Sequence, residues 1–63
     1  KEDKEMIVRD IKTNRLYDIK YNPNIDKYEQ YDGNVIINTY GGCLLRCLLY
    51  DSYYKKYEVE KDD

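Results

Sequence analysis

The side chains best equipped for chemistry in this chain are two thiols, one guanidinium among leucines, and a run of tyrosines and lysines near the end. Cys43 and Cys47 bracket Leu44, Leu45 and Arg46, a spacing that invites a redox or metal reading. If the segment is extended, the two Cα atoms stand about 13 Å apart at about 3.3 Å per residue. That exceeds the roughly 7 Å a disulfide tolerates, so free thiols acting as small apolar side chains are expected. The chain has no histidine, which removes the commonest general base and the Ser-His and Cys-His nucleophile pairs. Two cysteines without histidine do not complete a zinc site, and the acidic residues lack EF-hand spacing. Phosphate-cradling glycine motifs and the nucleophile elbow are also missing. No catalytic, metal-binding or cofactor-binding residues are assigned, and an enzyme is not expected.

Binding chemistry is better represented. Tyr53, Tyr54, Lys55, Lys56 and Tyr57 combine flat aromatic rings with two ammonium groups. On single-stranded nucleic acid, such rings stack on bases while lysines follow phosphates. At a protein interface, tyrosine supplies a large contact area with few rotatable bonds and a polar tip. Tyrosines also fill small cores in place of phenylalanine, but nine of them cannot all be buried in 63 residues. Acidic residues outnumber basic ones by 13 to 11, and Asp51, Glu58 and Glu60 flank the cluster. This balance favours a protein partner over nucleic acid, because a polyanion repels carboxylates. Arg46 adds an anchor for a carboxylate or phosphate. The segment 22–34 contributes Tyr28, Glu29 and Tyr31, since a loop that long in so small a domain tends to be functional. The expected contact set is thus Arg46, Tyr53, Tyr54, Lys55, Tyr57, Tyr28, Glu29 and Tyr31.

The elements that would position these residues are read mainly as strands. Residues 35–40 and 43–48 flank Gly41 and Gly42, a pair suited to a tight hairpin turn. That hairpin places Tyr40 opposite Cys43 and Ile37 opposite Arg46. A helix within 43–57 is the competing reading, since Leu45, Leu49, Tyr53 and Tyr57 recur every four residues. Residues 6–12 and 16–21 form a second hairpin around Thr13 and Asn14, with Val8 facing Ile19 and Arg9 facing Asp18. Residues 22–34 are a break opened by Pro23 and closed by Asp32 and Gly33. Residues 53–60 return as a fifth strand along the leucine-rich limb, which stacks Arg46 on the Tyr57 ring. The fold class expected is all-β, a small five-stranded antiparallel barrel or curved sheet, with α+β as the alternative. Residues 1–5 read as a flexible polar start, 6–60 as one domain and 61–63 as a solvated tail.

Composition bounds the rest. A chain of 63 residues buries only about 60% of the surface its unfolded form exposes, so self-association or a partner subunit is a natural supplement to its core. No apolar run of about 20 residues suggests a membrane span. Abundant Lys, Asn, Ile and Tyr with no alanine point to an AT-rich genome. The expectation is a non-enzymatic protein-binding module, in concrete form a small phage- or virus-encoded inhibitor of a host protein, acting in the cytoplasm. A small-barrel single-stranded nucleic-acid binder is the alternative, and a subunit that folds within a larger assembly is the third reading.

Overall fold

The computed structural model describes residues 5–62. Five strands and one helix follow in the order β1 (Glu5–Asp10), β2 (Leu16–Asn22), β3 (Lys27–Asp32), β4 (Val35–Tyr40), α1 (Gly42–Tyr50) and β5 (Tyr57–Asp62). The first four strands form an antiparallel meander. The helix then carries the chain across one face of the sheet so that β5 joins β1, giving the order β4-β3-β2-β1-β5 with every neighbour antiparallel. The mostly β class and the five antiparallel strands agree with the sequence reading. The sheet is open, however, because β4 and β5 each have one neighbour.

Each hairpin turn contains one residue with positive φ: Asn14 at 67°, Asp26 at 55° and Gly33 at 66°. Asn, Asp and Gly tolerate this region best, which is why the turns fall where they do. The β1–β2 turn is held from beneath by Asp10. Its Oδ1 accepts from the N–H groups of Lys12 at 2.8 Å and Thr13 at 3.1 Å. These bonds, that from Thr13 first, hold the Asp10 carboxyl below its usual range against the opposing effect of burial, with Lys56 adding a favourable charge. A lowered folded-state pKa stabilises the fold above the ordinary aspartate value, and the stabilisation is lost as pH falls through the lowered one. Thermal melts from about pH 4 to about pH 2 should therefore show a steeper fall in Tm for the parent than for Asp10→Asn. Parallel curves would contradict this role.

At α1 the preferred hairpin reading fails and the competing reading, a helix within 43–57, holds for its first part. The second limb of the expected central hairpin, 43–48, is helical, and Gly41 adopts φ −71° and ψ 163° as the N-cap rather than a turn conformation. Leucine is among the better helix formers, and four of the chain's five leucines lie in this helix. Leu45 and Leu49, one turn apart, face the sheet and are buried. Tertiary burial at helical spacing thus overrides the strand character inherited from 35–40. The helix stops at Asp51, whose carboxylate accepts from the N–H groups of Tyr53 and Tyr54, both at 2.9 Å. The chain then turns, and the Lys56 N–H donates to the Leu48 carbonyl at 2.8 Å before β5 begins.

Two further boundaries differ. The expected loop 22–34 contains β3, with Tyr28 and Gln30 on the helix side and Glu29 and Tyr31 on the opposite side. The final strand begins at Tyr57 and includes Lys61 and Asp62, so these two are not tail, and β5 pairs with β1 rather than with the leucine-rich segment. Apart from Glu5, which opens β1, the expected polar start lies outside the described residues, as does Asp63.

The core lies between α1 and the sheet and consists of Val8, Ile19, Tyr40, Leu45, Leu49 and Tyr57. Gln30 sits fully buried among them. Its Oε1 accepts from the Tyr40 hydroxyl at 2.5 Å, and its Nε2 donates to the Tyr57 hydroxyl at 3.1 Å. Among the described residues no buried side-chain polar atom lacks a partner, as a low-dielectric interior requires. Burial, followed by the influence of the neighbouring Tyr57 hydroxyl, pushes the Tyr40 phenol well above its ordinary value, so it remains a donor to Gln30.

Candidate functional site

A nine-residue helix is about 13 Å long at about 1.5 Å per residue. Five strands at about 4.8 Å spacing span about 19 Å between the outer axes. The helix therefore cannot cover the whole face, and one flank stays open. There Gly42, Arg46 and Tyr50 of α1 stand over Met6 of β1, Ile19 of β2, Tyr28 of β3 and Asp62 of β5. Leu45 and Leu49 complete this groove, whose volume is about 170 Å³. Small-molecule sites usually run to about 300–1,000 Å³, so the space suits an inserted side chain better than a whole ligand. The lining mixes aliphatic and aromatic side chains with one cation and one carboxylate, Arg46 and Asp62.

Of the residues expected to contact a partner, Arg46 and Tyr28 come together at this groove. Tyr53, Tyr54 and Lys55 lie on the turn after α1. Tyr53 is 83% exposed and meets Tyr54 edge to face at 4.8 Å. Such a pair holds two rings out to solvent in a fixed relation. Lys55 Nζ lies 3.4 Å from Glu58. Tyr50, absent from the expected set, is 65% exposed and lines the groove. Its only sequence signal was its position after the leucines.

Two expectations are corrected. Tyr57 is 3% exposed and belongs to the core, so it offers no surface to a partner. It does not stack with Arg46; Lys56 Nζ instead stands 5.6 Å from its ring centre. Glu29 and Tyr31 occupy the sheet face turned away from α1, with the Tyr31 hydroxyl 3.4 Å from Glu29 Oε1 and Lys20 Nζ 4.9 Å from the Tyr31 ring centre. They are separate from the groove. A further cleft, bounded by Asp10, Ile11, Lys12, Thr13, Tyr53, Lys55 and Lys56, lies between the β1–β2 turn and the turn after α1.

The thiols are also placed differently. Both are free and exposed, and four residues on a helix separate them by about 6 Å of rise rather than the 13 Å of a strand. Neither is a buried apolar residue. Both should react with a thiol-specific reagent in the native protein without denaturant; reaction only after unfolding would contradict the helix. Among the described residues no group of three or more His, Cys, Asp or Glu side chains is arranged to hold a metal ion. No helix among them is long and apolar enough to cross a membrane.

The fold and site define a small helix-capped antiparallel sheet with a groove on one flank of the helix and several exposed tyrosines. No family model matches the chain, and no curated protein or solved structure is significantly similar to it.

Proposed function

We propose that the chain is a non-enzymatic protein-binding module that works through the open flank of α1. An apolar side chain of the partner enters the groove, a neighbouring carboxylate pairs with Arg46, and Tyr50, Tyr53 and Tyr54 cover the adjoining surface. The observation that supports this reading is the convergence of one helix and four strands on a groove lined by aliphatic side chains, a guanidinium and the exposed Tyr50. Arginine and tyrosine are among the residues that dominate interface energetics. The AT-rich composition favours a phage- or virus-encoded inhibitor that binds its target in the host cytoplasm.

A second reading rests on the cleft around Tyr53, where Lys12, Lys55 and Lys56 gather. Those groups suit a base stacked on a ring with phosphates beside it. Affinity capture from host lysate separates the two. A single protein recovered by the parent, lost with Arg46→Glu and with the Tyr53→Ala, Tyr54→Ala pair, and insensitive to nuclease supports the module. Nuclease-sensitive recovery, with oligonucleotide binding that weakens steeply with salt, supports the second reading and defeats the first.

A further inference from the structure

Of the 63 residues, 24 are charged, yet none of the 13 from 33 to 45 is. This stretch contains β4, an edge strand, and the first turn of α1. Val35, Ile36 and Ile37 follow one another along that edge with large exposed areas, 63% at Val35 and 42% at Ile37, and Leu44 of the helix is exposed as well. An edge strand presents unpaired N–H and C=O groups, and proteins that leave one free guard it with lysine, proline, inward charge, a bulge or short length. β4 has six residues and none of those residue types. Its one irregularity is a bulge against β3, between the pairs Gln30 with Asn38 and Tyr31 with Ile36, which leaves Ile37 without an opposite residue.

The opposite edge is built differently. β5 reads YEVEKD and carries Glu58, Glu60, Lys61 and Asp62. It also has a register shift against β1, and Glu60 accepts from Arg9 Nε at 2.8 Å. Both edges carry a bulge, but only β5 carries charged side chains.

We infer that two copies of this chain associate through β4, paired antiparallel across a two-fold axis, so that the two sheets become one of ten strands. A second copy is the occupant favoured by charge. Across a two-fold, residue i of one copy meets residue j of the other and j meets i, so a strand without charge meets no like-charge opposition in any register. The strand and its flank carry none, whereas β5 would bring three carboxylates and one lysine from each copy to the seam. Interface centres are depleted of charge in the same way. With only one competent edge per copy, the assembly closes at two and does not extend into fibres. The pairing also supplements a core of six buried hydrophobic side chains, small for a domain that has no disulfide among its described residues.

Sedimentation equilibrium of the parent from about 1 µM to about 1 mM, spanning ordinary affinities, reads the association directly. The expected result is twice the chain mass at the upper end, returning to a single chain in Val35→Lys and in Ile37→Lys. Both substitutions fall at exposed positions, so the folded monomer should survive; far-UV circular dichroism checks this. Hydrogen exchange of the parent does not depend on the variants, and the amides of 35–39 should gain protection as concentration rises. Arg46→Glu, which alters the groove, should still form the dimer, so failure of the proposed partner binding and failure of this pairing are read separately. A parent that remains a single chain throughout, a dimer that survives both lysine substitutions, or concentration-dependent protection confined to other strands would overturn the inference.

Discussion

Tyr57→Ala is expected to abolish the folded state at room temperature, giving an unfolded circular dichroism spectrum and no cooperative urea transition. Tyr57 is the most connected aromatic of the core: its ring meets Tyr17 edge to face at 6.1 Å, and its hydroxyl accepts from Gln30. Truncating a buried large aromatic costs about 3–5 kcal/mol. Leaving the Gln30 amide unpaired adds about 1–3 kcal/mol. A core of this size rarely supplies more than about 3–5 kcal/mol in total, so the loss exceeds what is available. Tyr57→Phe isolates the polar part. It keeps the ring and should lower stability by about 1–3 kcal/mol while the transition stays cooperative. A Tyr57→Ala variant that melts like the parent would show that the Gln30–Tyr40–Tyr57 network is not where the fold is held.

The second large effect concerns partner affinity. Residues that dominate interfaces cost about 2 kcal/mol or more on truncation, or about 30-fold in Kd at about 1.4 kcal/mol per tenfold. Arg46→Glu should do more than this, because it removes a charge-assisted hydrogen bond and places a carboxylate beside the partner's own. The Tyr53→Ala, Tyr54→Ala pair should weaken binding by about 30-fold or more with little change in Tm, since both rings are exposed. Glu29→Ala, on the far face of the sheet, should leave affinity unchanged. Isothermal titration against the captured partner measures all three. Equal losses at Glu29 and Arg46 would place the contact surface elsewhere.

How much of this was legible in the sequence varies by element. β1 and β2 were readable because Val8 and Ile19 are apolar residues in alternating patterns, and both lie buried on the helix side. Their register still differs by two residues. The turn from 11 to 15 closes with Asn14 N–H donating to the Asp10 carbonyl and Asp10 N–H donating to the Arg15 carbonyl, so Val8 meets Tyr17. A shift of two keeps every side chain on its own face, so the core assignment survived it. β3 was hidden because its buried position is Gln30, a polar residue that only Tyr40 and Tyr57 make acceptable inside. Neither tyrosine is near it in sequence.

The run after Gly41 and Gly42 shows a different limit. A short apolar run has no decisive period, and the choice between strand and helix was made by the sheet that Leu45 and Leu49 cover. For the site, Arg46 and Tyr28 could be singled out one by one, but their meeting at one groove depends on α1 crossing above β3. The YYKKY cluster looked like one patch, whereas the turn capped by Asp51 sends Tyr53 and Tyr54 outward and Tyr57 into the core.

The claim that this molecule works through the open flank of α1 is tested most directly by placing a photoreactive benzophenone side chain at position 50, on the groove, and separately at position 25, an exposed site in the β2–β3 turn. Irradiation in host lysate should yield one covalent protein adduct of defined mass from position 50 and none from position 25. Adducts from position 25 alone, or the same products from both positions, would contradict it.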